Sequence, residues 1–164
     1  MAQHIRKKEK EKLPRFDTLS AKQKKERLDL CDSFVLSSEK ARREGILALE
    51  DEVYDFEQEK ALHRYMLFHN TLLRMMVDGV HGKNLSLVAD NYIATSCDND
   101  FETLAFNVIK TGVINIQEGN SPDIQKTILI SMLGLKNMTE NAKYVESAVD
   151  EAKKNVFERY DGEN

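Results

Sequence analysis

The chain has 164 residues, 41% of them hydrophobic and 32% charged, with a formal net charge of −4, and this length suffices for one domain with its own core. Seven Gly and two Pro are too few for the many turns of an all-β protein. The lack of Trp and the acidic balance argue against nucleic-acid binding.

The N-terminal part of the chain is basic. Residues 1–27 carry ten Lys or Arg against four Asp or Glu, whereas residues 28–164 carry fourteen against twenty-four. Because Pro14 discourages a continuous helix, we predict a flexible basic leader over residues 1–19, followed by a helical domain over 20–160. The leader lacks the apolar core of a signal peptide. It is either a solvated tail or a weak contact for an anionic lipid surface or an acidic partner.

The first helical segment follows this leader. Its N-terminus has three candidate capping residues, Asp17, Thr18 and Ser20. Apolar residues then recur at helical spacing over residues 28–56, which predicts either one helix or two helices broken near Gly45 or Asp51.

A second apolar pattern runs over residues 62–77 and stops before Gly79, a natural C-cap. Both segments have a continuous apolar face, so we predict that they pair as a long antiparallel helical hairpin. His69 lies on the apolar stripe of the second segment, and we interpret it as a core residue.

Four further patterns complete the chain. We predict a helix from residue 85 to either 93 or 97, another that Asn99 or Asp100 caps, and two more over residues 124–133 and 139–160. Residues 119–123 read GNSPD, in which Gly ends one helix, Ser caps the next and Pro occupies its first position. The predicted fold is therefore all-α, a compact helical domain of about six helices.

Residues 38–50 read SEKARREGILALE, a dense alternation of charge around an apolar stripe. On a continuous helix, Arg43 and Glu50 would share a face, and Glu39 would pair with Arg43. By itself this pattern is typical of an ordinary solvated helix, whose intrahelical ion pairs contribute only about 0.2–0.5 kcal/mol each.

Two segments together resemble the cytoplasmic parts of the flagellar motor stator protein A (MotA) family. They are residues 41–52, ARREGILALEDE, and residues 112–122, GVINIQEGNSP. Residues 73–79, LRMMVDG, also resemble the helix end that precedes the third membrane helix of that family.

The resemblance implies a partner-binding surface. In the family, an arginine and a glutamate eight residues apart meet the rotor switch protein FliG, and Arg42 and Glu50 occupy these positions here. Arg43 and Asp51 match adjacent charged positions. The implied partner is thus a FliG-like rotor switch protein or another flagellar motor protein.

The chain departs from that family where the channel should be. Residues 80–103 replace two membrane helices, and the longest uncharged apolar runs are about half of the roughly 20 residues that cross a bilayer. Ion conduction and torque generation are therefore not implied. What the resemblance implies is a non-conducting cytoplasmic protein, associated with the flagellar base.

Neither catalysis nor a bound cofactor is predicted. His63 and His69 diverge on a helix, and Glu59 with His63 supplies only two ligands of a metal site. No Gly-rich phosphate loop is present. Cys31 and Cys97 fit no metal-ligand spacing, and we expect free thiols.

Two other functions stay open. The chain would be a homo-oligomeric scaffold if it assembles through an apolar surface, as stator subunits form rings. It would be a regulatory adaptor if it reuses the fold without contacting a rotor.

Overall fold

The computed structural model describes residues 13–59 and 63–161, and this part of the chain is helical without a strand, which confirms the all-α prediction. The α-helices are α1 (Ala21–Glu44), α2 (Phe56–Glu59), α3 (Arg64–Val77), α4 (Gly82–Ser96), α5 (Asp100–Gln117), α6 (Pro122–Met132) and α7 (Met138–Asp161). Two 3₁₀ helices span Phe16–Thr18 and Ile46–Glu52. Leu62 and most of the predicted leader, residues 1–12, lie outside the described residues.

Local sequence signals set the helix ends. Ser20 caps α1 through a reciprocal box, in which its hydroxyl accepts from the Gln23 backbone N–H and the Gln23 side chain accepts from the Ser20 N–H. Asn99 and Ser121 cap α5 and α6, each accepting from a backbone N–H three residues on. All three caps were among those that the sequence predicts.

Gly45 ends α1. Its φ of 91° lies in the left-handed region, which is strained for other residues, so the helix cannot continue through it. The predicted break near Gly45 is confirmed. The helical argument that placed Arg43 and Glu50 on one face is wrong, because Arg43 lies in α1 and Glu50 in the 3₁₀ helix beyond the break.

The helix at the centre of the fold is α5, which packs against α1, α3, α4 and α6. Phe106 on α5 stacks on Phe68 of α3, with 4.3 Å between the ring centroids. Gly112 faces Phe34 of α1 so closely that a Cβ there would lie 2.6 Å from the Phe34 ring. A glycine at this position therefore lets α1 and α5 approach each other.

α1, α3 and α5 run in the same direction. Arg27 lies against Tyr65 and Phe101, and seven residues later Phe34 lies against the His69 ring and Gly112. Residue numbers therefore increase in the same order along all three helices, which shows that the helices are parallel.

The predicted antiparallel pairing of the first two long segments is therefore wrong. α3 starts beside the start of α5, where Arg64 binds Asp98, at the end of the bundle where α1 also begins. The antiparallel hairpin is formed instead by α3 and α4, and α6 and α7 form another, consistent with their packing and short connections.

The packed part of the chain begins within the predicted leader. Phe16 is 5% exposed and belongs to the hydrophobic core, so the boundary placed at residue 19 was too late. A single aromatic residue in a basic stretch gives no periodic signal, which is why the sequence did not indicate its burial.

Arg27 is a buried cation, only 1% exposed. Its guanidinium carbon lies 4.1 Å from the centroid of the Phe101 ring and 5.7 Å from that of Tyr65. Within the described residues it has no ion pair, and Nε and one Nη have no hydrogen-bond partner. Burial lowers the pKa of Arg27, the charge of the neighbouring Glu26 partly offsets this, and two aromatic rings lie close to the guanidinium.

Candidate interaction surface

The four residues that the sequence predicts to bind a partner lie on one turn. Residues 41–52, which we call the charged turn, comprise the end of α1, Gly45 and the 3₁₀ helix Ile46–Glu52. Arg42, Arg43, Glu50 and Asp51 are all exposed there.

Leu49 anchors the charged turn. It is fully buried, whereas Leu47, two residues earlier, is 70% exposed. A 3₁₀ helix repeats every three residues, so the partly buried Ile46 lies on the same side as Leu49. The 3₁₀ helix packs against both α1 and α3. Its charged side chains Glu50 and Asp51 lie on the exposed side.

Lys40 ties the end of the turn back to α1. Its Nζ lies 2.6 Å from Asp51 Oδ1 and 3.7 Å from Glu52, and Ser37 Oγ donates to Glu52 at 2.9 Å. The bond to Asp51 raises the pKa of Lys40. Asp51 therefore helps to position the turn and is only partly available to a partner.

The other three residues differ in their partners. Arg43 pairs with its neighbour Glu44 at 3.1 Å, an exposed pair of little energetic value. Within the described residues, neither Arg42 nor Glu50 has an ion pair or a side-chain hydrogen bond. These two are the positions that the resemblance relates to the rotor contact.

The segment at 112–122 lies beside the charged turn. Ser38 Oγ, one turn before Arg42, donates to the Asn120 carbonyl at 3.4 Å. Gln117 Nε2 donates to the Val80 carbonyl in the α3–α4 loop at 2.6 Å. The end of α1, the α3–α4 loop and the α5–α6 turn thus meet at one end of the bundle.

The polar and small residues of segment 112–122 are engaged within the fold. The Gly112 carbonyl accepts from the buried Gln125 side chain at 3.0 Å, and Asn120 donates to Asn115 at 3.1 Å. Ser121 caps α6 and Pro122 occupies its first position. This segment is accounted for by packing and capping, apart from the exposed Glu118.

Lys40, Ser37 and Glu52 are contributors to the surface that the sequence did not indicate. Lys40 and Asp51 are eleven residues apart, a separation for which no helical pairing rule exists. Only the reversal of the chain at Gly45 brings them together.

Among residues 13–59 and 63–161, no group of three His, Cys, Asp or Glu side chains could hold a metal ion. Burial raises the pKa of Cys31 to about 12, and Cys97 is partly buried with a raised pKa. Burial lowers the pKa of His69 to about 4, and its ring packs edge-on against Phe34.

The same part of the chain contains no helix with the length and apolarity that a bilayer span requires. No family model matches the chain, and neither a curated protein nor a solved structure is significantly similar to it. The stator-like character of the two segments therefore stays a prediction.

Proposed function

We propose that the chain is a non-conducting, stator-like binding module that docks on a flagellar motor component through the charged turn. The first candidate partner is a FliG-like rotor switch protein, and the proposed location is the cytoplasmic side of the flagellar base. One observation carries the proposal: Arg42 and Glu50 are exposed and unpaired within the described residues, on a turn held in place by the buried Leu49.

The arrangement suits electrostatic docking. Opposite charges on one turn can meet a partner surface of complementary polarity, which accelerates encounter and fixes orientation more than it adds affinity. Leu49 and the Lys40–Asp51 pair hold the backbone of the turn, so less conformational entropy is lost on binding. Because the side chains are exposed, salt should weaken the interaction.

The test is a binding titration between this chain and the purified rotor switch protein of the same organism, at about 50 mM and 300 mM salt. We expect Arg42→Glu or Glu50→Lys to weaken binding about 10-fold at low salt, equivalent to about 1.4 kcal/mol. The matched controls are Lys22→Glu and Glu140→Lys, exposed residues near the opposite end of the bundle, which should leave the affinity unchanged.

Two outcomes would contradict the proposal: no binding of the wild-type chain, or affinity that is insensitive to both charge reversals. A reversed residue on the rotor protein that restores binding to Arg42→Glu would identify the contacting pair, by the logic of a double-mutant cycle.

A self-assembling scaffold is the second candidate. It is favoured by exposed apolar side chains, among them Leu47 at 70% and Leu87 at 59% exposure. Sedimentation equilibrium of the purified chain separates the two candidates, because a scaffold requires a defined oligomer, whereas a docking module can be monomeric. A monomer at about 100 μM, well above the micromolar affinity of a modest interface, would contradict the scaffold.

A further inference from the structure

Leu47 is an apolar residue on the outside of the charged turn. It is 70% exposed, and among the large apolar residues of the described part of the chain only Leu135 is more exposed. A single exposed leucine is common on protein surfaces and by itself indicates no function. Leu47 differs because it shares one side of the turn with Glu50, a charge that has no ion pair within the described residues.

The 3₁₀ geometry places Leu47 beside Glu50. Because such a helix repeats every three residues, positions 47 and 50 lie on one side of it, and positions 46, 49 and 52 lie on another. The exposures agree with this division, since Leu49 is fully buried whereas Leu47 and Glu50 are exposed. A rise of about 2.0 Å per residue separates the two outward residues by about 6 Å along the helix axis.

The backbone that carries Leu47 is held on both sides of it. The Ala48 N–H donates to the Gly45 carbonyl at 3.1 Å, and the Val53 N–H donates to the Glu50 carbonyl at 3.1 Å. The inner side of the helix packs against α1 and α3. A partner would therefore meet Leu47 on a backbone that is already ordered, which reduces the entropy lost on binding.

Leu47 and the charges of the turn would contribute differently to an interface. Burial of an apolar side chain against a partner removes its surface from water, a contribution that does not depend on the screening of charge. Exposed ion pairs contribute little energy and are screened as the salt concentration rises. An interface built on this turn would thus gain most of its affinity from Leu47 and its orientation from Arg42 and Glu50.

The charge of the turn favours a protein partner over a membrane surface. Residues 41–52 carry two Arg against three Glu and one Asp, a net charge of −2. An anionic bilayer would repel this turn, although an exposed leucine without acidic neighbours would suit a lipid surface. A pocket on a protein can instead place its own charged groups opposite those of the turn.

We propose that Leu47 is the apolar anchor of the charged turn and fills an apolar pocket on the partner protein, with a cation of that protein opposite Glu50 and about 6 Å from the pocket. The inference rests on the proposed docking through the charged turn. It adds the requirement that the partner surface contains an apolar pocket beside its charged groups.

The test is a binding titration with the purified rotor switch protein of the same organism, at about 50 mM and 300 mM salt. Leu47→Ser should weaken binding at least about 10-fold, by nearly the same factor at both salt concentrations, because it removes apolar surface. The loss caused by Arg42→Glu should instead shrink at the higher salt concentration, because salt screens the reversed charge.

Two variants serve as matched controls. Leu47→Met keeps the apolar volume and should bind as the wild type does. Leu87→Ser removes a leucine that is 59% exposed on α4, outside the charged turn, and should leave the affinity unchanged. Because the substituted side chains are exposed, thermal unfolding should show that each variant folds as the wild type does.

The outcomes separate this inference from the docking on which it rests. Wild-type affinity of Leu47→Ser, together with weakened binding of Arg42→Glu, would overturn the inference and leave the proposed docking intact. Absence of binding by the wild-type chain would overturn both. Equal losses on Leu47→Ser and Leu87→Ser would also overturn the inference.

Two further measurements test other occupants of the same surface. A dimer of the chain alone that Leu47→Ser dissociates would overturn the inference, because Leu47 would then contact a second copy of this chain. Cosedimentation of the wild type with phosphatidylserine-containing vesicles that Leu47→Ser abolishes would overturn it as well, because the leucine would then enter a bilayer.

Discussion

The charged turn and segment 112–122 carry the same sequence resemblance but have opposite relations to the fold. In segment 112–122, the Phe34 ring packs directly on Gly112, and the Gln117 side chain holds the α3–α4 loop by a hydrogen bond to the Val80 carbonyl. In the charged turn, the buried Leu49 and the Lys40–Asp51 pair hold the backbone, while Arg42 and Glu50 face solvent.

This difference decides which of the two segments supports the proposal of a binding partner. A residue pattern that packing and capping already account for would be retained in any protein with this helix arrangement. A pair of exposed charges contributes little to stability, so the fold alone gives no reason for their identity. The charged turn is therefore the segment that supports the proposed docking.

The largest effect is expected at Gly112. Gly112→Val would force a branched side chain into the Phe34 ring, and overpacking of this kind should lower the free energy of unfolding by about 3 kcal/mol. Urea denaturation measures this loss. Phe34→Leu in the same chain should restore part of it, with a coupling of at least about 1 kcal/mol. Additive losses would show that the contact is not the cause.

The pH dependence of stability tests the packing of His69 in the same region. Its pKa is lowered to about 4 in the folded protein, so the unfolded state binds the proton first as the pH falls below about 6.5. This contribution is fully present above that pH and is lost between about 6.5 and 4. We expect the wild type to lose about 3 kcal/mol more than His69→Leu between pH 7 and 4.

Urea denaturation at several pH values checks this prediction, with Arg42→Glu as the control that should keep the wild-type profile. Parallel profiles for the wild type and His69→Leu would mean that the imidazole is not held neutral by its packing against Phe34.

A smaller effect is expected at Gln117. Gln117→Met keeps the side-chain length but removes the donor to the Val80 carbonyl, which should cost about 1 kcal/mol. Hydrogen exchange should show faster opening of the α3–α4 loop. Glu118→Gln, a change at the exposed neighbour, serves as the control and should leave stability and exchange unaltered.

The smallest effect is expected at the charged turn. Arg42→Glu and Glu50→Lys should each change the free energy of unfolding by less than about 0.5 kcal/mol, because both side chains are exposed. Thermal unfolding measures this. A loss above about 1 kcal/mol would place these residues in the same structural class as Gly112, and the contrast between the two regions would disappear.

The sequence predicted the features that depend on neighbours along the chain. Ser20, Asn99 and Ser121 cap helices because their side chains reach backbone groups three residues away, and the break at Gly45 follows from one residue's conformational range.

Features that depend on distant parts of the chain were missed. The direction of α3 relative to α1 depends on how each helix packs against α5, which no periodicity describes. The burial of Arg27 depends on Phe101, which lies on another helix, and the Lys40–Asp51 pair depends on the chain reversal.

The shared direction of α1, α3 and α5 affects the electric field that a partner would meet at the charged turn. The dipole of each of these helices is equivalent to about half a negative charge at its C-terminus, but the N-termini of α4 and α6, each equivalent to about half a positive charge, lie at the same end of the bundle. They offset the dipoles of α3 and α5, and Arg42 and Arg43 in the last turn of α1 offset the dipole of their own helix. The backbone dipoles at this end therefore largely cancel, so a docking partner would respond mainly to the exposed side-chain charges of the turn.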